Sequence, residues 1–119
     1  MIFDNAIIDI PFITGIIFII LGFILSKLPP KKINSFYGYR TVNSMKNKES
    51  WDFAQKYSGK ELVKFGLLLM ISSLIGVLFK PSQGISVAIG LGLMVTMVVF
   101  VFIRVEKALK SKSIKLFQF

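Results

Sequence analysis

The chain has 119 residues, 54% of them hydrophobic, a net charge of +9, and neither cysteine nor histidine. A mean hydropathy of +0.70 is too apolar for a soluble domain of this size, and the missing Cys and His exclude disulfides, thiol chemistry, a His/Cys metal site and a histidine base. The positive charge does not mark a nucleic-acid binder, because the basic residues lie between and after apolar blocks, where the polyanion at hand is anionic lipid headgroup.

The composition therefore predicts an all-α integral membrane protein forming a single membrane domain over residues 1–119. The first apolar block, Ile10–Leu28, is nineteen residues long, enough at ~1.5 Å per residue to cross a hydrocarbon core of ~30 Å. Asp9 is placed to cap it, Pro11 falls in its first turn, and Pro29-Pro30 ends it. Acids rather than a basic region precede this block and no small-residue cleavage site follows, so it reads as a retained anchor rather than a signal peptide.

Residues 29–61 hold most of the polar sequence. Gly38 permits a turn within "FYGYR". Asn47 then offers an N-cap to an amphipathic helix at the inner interface, with Trp51, Ala54 and Ser58 on one face and Lys48, Asp52, Gln55 and Lys56 directed elsewhere. Gly59 is the expected hinge before the second span. That span, Leu62–Phe79, and a third, Gly84–Ile103, are separated only by "KPSQ" and must form an antiparallel hairpin. A basic tail, 104–119, closes the chain, its lysines alternating with apolar residues as in an interfacial segment.

Charge fixes the expected topology. Eight Lys and Arg residues run from Lys27 at the end of the first span to Lys60 before the second, and five lie in the tail, against Lys80 alone at the hairpin tip and none before the first span. The positive-inside rule puts the N-terminus and the tip outside and the motif loop and C-terminus in the cytoplasm. The spans contain no acid to serve proton coupling, which argues against a transporter or channel. Small residues, Gly15 and Gly22 in the first span, Ser72 and Gly76 in the second, and the Ser86/Gly90 and Ala88/Gly92 pairs in the third, suit close helix packing within one chain or in a homo-oligomer.

The candidate functional residues are Tyr37, Gly38, Tyr39, Arg40, Thr41, Ser44, Asn47 and Trp51. A plainer account makes the aromatics an interfacial belt, Arg40 a lipid-phosphate contact, and Thr41 and Ser44 turn formers. The run from Gly38 through Tyr39, Arg40, Thr41 and Ser44 to Trp51, with Ala54, Lys56 and Gly59 beyond, resembles the motif of the SdpI family of bacterial membrane proteins. The similarity spans roughly residues 34–103.

That resemblance implies a non-enzymatic protein of the bacterial cytoplasmic membrane, acting in immunity to a peptide toxin or in membrane signalling. The family's namesake has further spans ahead of the motif, where this chain has one. Expected partners are anionic lipid headgroups at the basic loop and tail and a peptide toxin or a partner membrane protein, with no nucleic acid and no cofactor. Two other readings compete: an accessory subunit of a larger membrane complex, and a lipid-headgroup enzyme in which Arg40 binds phosphate and Tyr39, Asp52 or Glu49 moves protons.

Overall fold

A computed structural model describes residues 5–34 and 37–117, with side chains as far as 112. All its regular elements are helices: α1 (Ala6–Lys27), α2 (Lys48–Ser72), the single turn α3 (Ile75–Leu78) and α4 (Gln83–Phe117). Three stretches, Ala6–Lys27, Lys48–Leu78 and Gln83–Lys112, are long and apolar enough to cross a membrane. The molecule is 55 Å long, against ~40–45 Å for a bilayer including its headgroups. The molecule thus exceeds the bilayer in length, and the end that carries the motif loop also carries most of the basic residues.

Helix α1 begins earlier than the sequence suggests. Asn5, not Asp9, is its cap, its Oδ1 accepting from the Ile7 N–H at 3.0 Å. Asn5 gains a second use, because its Nδ2 donates to the Gly76 carbonyl at 2.9 Å and ties the start of α1 to α3. Asp9 lies within the first turn, and Pro11 sits a turn further in than expected and is buried.

The amphipathic segment and the second span are one helix. Asn47 caps it, accepting from the Ser50 N–H at 2.7 Å, and α2 runs unbroken through Gly59, so the expected hinge is absent. The reason is packing. A Cβ on Gly59 would lie 2.7 Å from the Gly22 carbonyl oxygen, and one on Gly66 would lie 2.7 Å from that of Gly15. Lipid offers helices no hydrophobic drive to associate, so α1 and α2 are held by backbone surfaces in contact, which only glycine allows. The real break comes at Ser73–Leu74, where α2 gives way to α3 and the Ser72 and Ser73 hydroxyls donate back to the Leu69 and Met70 carbonyls.

Helix α4 crosses both partners. Near its start Gly90 packs on the Ala6 carbonyl of α1, whereas a Cβ added at Gly92 would have nothing within 4 Å. Of the two small-residue pairs in the third span, Ser86/Gly90 is the packed one. Toward the basic end, Val101, Val105 and Leu109 repeat every four residues and close on Ala54 and Phe65 of α2. Outward-facing Ile, Leu, Val and Phe are numerous elsewhere, as suits a lipid solvent. The tail continues α4 as far as Phe117. The interfacial reading of its side chains from residue 113 falls outside the described residues.

Candidate functional site

The motif loop lies across the basic end of α1, α2 and α4 and is held by side chains from two of them. Trp51, fully buried on the first turn of α2, donates its indole N–H to the Pro30 carbonyl at 2.7 Å. That bond fixes where the chain leaves α1. Gln55, one turn further along α2, is also fully buried. Its Oε1 accepts from the Tyr39 N–H at 2.7 Å and its Nε2 donates to the Tyr39 carbonyl at 2.8 Å, so one carboxamide satisfies both polar groups of one residue. The outward direction expected for Gln55 is therefore wrong. A side chain that completes a buried backbone as a strand partner would is worth more inside than solvated.

This pairing explains Gly38. Its φ is +106°, a conformation open to glycine and strained for other residues, and a Cβ there would lie 2.6 Å from Gln55 Oε1. Beyond it, Thr41 and Ser44 lock each other into a turn. The Thr41 N–H donates to Ser44 Oγ at 2.8 Å, the Ser44 N–H donates to Thr41 Oγ1 at 3.2 Å, and the Ser44 hydroxyl, fully buried, reaches the Tyr39 and Thr41 carbonyls.

The far side of the loop is fastened by α4. Glu106 accepts three hydrogen bonds, from the Tyr39 hydroxyl at 2.8 Å and the Thr41 hydroxyl at 3.1 Å on Oε2, and from Asn43 Nδ2 at 2.9 Å on Oε1. Burial pushes the Tyr39 phenol above its ordinary pKa, and the bond to Glu106 pushes it further, since a phenolate could not donate to a carboxylate. Two residues before Glu106, the Arg104 Nε donates to Glu61 of α2 at 2.8 Å, and Lys112 lies over the Phe53 ring at 4.6 Å. These contacts bind α4 to α2 beside the loop.

Of the residues singled out from sequence, Tyr39, Thr41, Ser44 and Trp51 come together with Gly38 in this assembly. Tyr37 is exposed and donates to the Leu28 carbonyl at 3.3 Å, and Asn47 serves α2 as its cap. Arg40 is exposed and has no hydrogen-bond or ion-pair partner among the described residues. The acids considered for proton transfer are engaged elsewhere, Asp52 with Lys48 at 2.8 Å and Glu49 with Lys112 at 3.9 Å. Gln55, Asn43, Glu61, Arg104 and Glu106 were not legible as a set. For Glu106 there was a signal, since it is the sole acid in residues 62–119.

Residues 31–105 match the model of the SdpI/YfhL protein family. The chain belongs to that family. The SdpI/YfhL match covers the motif loop, the whole of α2 and most of α4. The chain is similar to a Bacillus subtilis (strain 168) protein, YfhL, described as uncharacterized, with 42% identity over 55 residues. That stretch is 46% of this chain and 50% of YfhL, so the chain spans about half the length of the curated relative it matches. No solved structure matches it.

Proposed function

We propose that this SdpI/YfhL-family chain acts in the bacterial cytoplasmic membrane in immunity to a peptide toxin or in membrane signalling, without catalysis, and that the loop from Tyr37 to Ser44 with Trp51 is its working surface. The observation that carries the reading is the triple bond set on Glu106. A side chain of α4 just beyond the third span is one of the groups that hold the loop, so a peptide that displaced α4 within the bilayer would loosen or re-aim the loop on the cytoplasmic side. Arg40, exposed beside that set and without a hydrogen-bond or ion-pair partner among the described residues, is the residue such a change would present to a partner. The distribution of Lys and Arg supports a cytoplasmic loop and an external N-terminus.

The test is expression in a bacterium sensitive to secreted peptide toxins, comparing survival with the parent chain, Arg40→Ala and Glu106→Gln. Protection by the parent and its loss in either variant is the expected result. If the parent protects against no peptide toxin, the immunity reading fails.

A second reading, an accessory subunit, is favoured by one feature: the exposed Ala88/Gly92 stripe, with open space beside Gly92. It requires a membrane partner that co-purifies after gentle detergent extraction and is lost on Gly92→Leu.

A further inference from the structure

Directly beneath the motif loop lies a cavity of about 390 Å³, inside the ~300–1,000 Å³ range of small-molecule sites. Gly38 and Tyr39 form part of its roof, and its walls are apolar, from Leu21 and Ile24 on α1, Leu62 on α2, and Val98 and Phe102 on α4. Leu21, Ile24, Val98 and Phe102 are also exposed on the outer surface, so the cavity opens sideways between α1 and α4. At that depth the surrounding solvent is acyl chain, and the opening admits it without a polar group being stripped of water.

The charges at the mouth say which lipid. Lys27 lies three residues beyond Ile24, one turn nearer the basic end on the same side of α1. It is exposed and, like Arg40, has no ion-pair partner among the described residues. The nearby acids are spoken for, Glu61 by Arg104 and Glu106 by the loop. Two cations without an ion-pair partner among the described residues thus adjoin the lining in sequence, Lys27 three residues beyond Ile24 and Arg40 next to Tyr39, and their complement is a phosphate that carries net negative charge.

We infer that the cavity seats one acyl chain of an anionic phospholipid, whose phosphate rests on Lys27 and Arg40. The chain supports the loop from below while Gln55 and Glu106 hold it from the sides. This assignment goes beyond the immunity reading and stands or falls without it, because its readout is lipid retention and not survival. It also holds for either orientation in the membrane.

The experiment is native mass spectrometry of the full chain in detergent, delipidated and then given phosphatidylglycerol and phosphatidylcholine in equal amounts. The parent retains one phosphatidylglycerol under collisional activation, with a preference of about tenfold over phosphatidylcholine, as expected for two cations near an anionic headgroup. Val98→Trp and Leu21→Trp, on opposite rims, fill the cavity from positions that already face lipid, and each lowers retention of both phospholipids about tenfold at unchanged helicity. Lys27→Gln/Arg40→Gln keeps one phospholipid bound but loses the preference. Parent-like retention in both Trp variants overturns the cavity as the seat. Undiminished preference in the double variant overturns the headgroup assignment, and a co-purifying peptide displaced by both Trp variants overturns the lipid as occupant.

Discussion

Replacing Glu106 with alanine removes a single acceptor that serves three donors from three different residues of the loop. A hydrogen bond to a charged partner contributes ~1.5–3 kcal/mol when well buried. Here Glu106, Tyr39, Thr41 and Asn43 are all half-buried, so freed donors regain water and the three losses do not add in full. The Gln55 clamp on Tyr39 also survives the substitution. A net loss of about 2–3 kcal/mol in the stability of the held loop follows.

Amide hydrogen exchange in detergent reads this directly, since the Tyr39, Thr41 and Ser44 N–H groups are all bonded to side chains within the assembly. At ~1.4 kcal/mol per factor of ten, their exchange should quicken roughly 30- to 100-fold in Glu106→Ala. Amides in the α1–α2 contact, such as Leu69, should be unaffected, and the neighbouring Lys107→Ala should leave all of them unchanged. Unaltered exchange at Tyr39 and Thr41 would refute the view that α4 holds the loop. An equal rise at Leu69 would show instead that Glu106 supports the whole bundle.

At the glycine crossing, Gly59→Val is expected to force α1 from α2 at a cost of ~1–3 kcal/mol or more, lowering the thermal midpoint in detergent. Gly84→Ala, with nothing within 4 Å of the added methyl, should change it by less than ~0.5 kcal/mol. Tyr39 should ionise above the ordinary tyrosine range in an ultraviolet titration, and Glu106→Ala should lower its pKa. Because its folded pKa is raised, the held form keeps its full stability below the ordinary tyrosine range near pH ~10 and loses it as pH rises beyond. Tyr39→Phe should remove that part of the alkaline loss. Finally, the chain has no cysteine of its own, so Lys80→Cys and Arg40→Cys can be labelled singly in intact cells. An impermeant maleimide should modify the first and spare the second, and the opposite pattern would invert the topology.

The three spans are legible because eighteen to twenty consecutive, mostly apolar residues have one stable arrangement in lipid, and the inward face of α2 is visible in Trp51, Ala54 and Ser58. Gln55 departs from the sequence expectation because its polarity suggests exposure. Its place four residues after Trp51 and four before Gly59 put it on the buried stripe, and its partner was backbone, which carries no side-chain signature. Glu106 meets donors 63 to 67 residues away, a separation at which no local period speaks. Gly59 read as a hinge because glycine is flexible in isolation. Its seven-residue interval from Gly66, matched by Gly15 and Gly22, marked it as a contact instead.

Those two intervals run in opposite directions, so both glycine pairs coincide at one alignment of α1 against α2. Sliding one helix by a heptad would keep a single pair and drive the remaining two glycines onto larger residues. The bundle thus has a ruler, and the ruler sets the height of Pro30 relative to Trp51 and hence the level at which the loop is suspended. Residues inserted between Lys31 and Ile33 would leave that level untouched. A single residue inserted between Gly59 and Gly66 would turn one pair by ~100° out of the interface, and a loop of unaltered sequence would hang at the wrong depth.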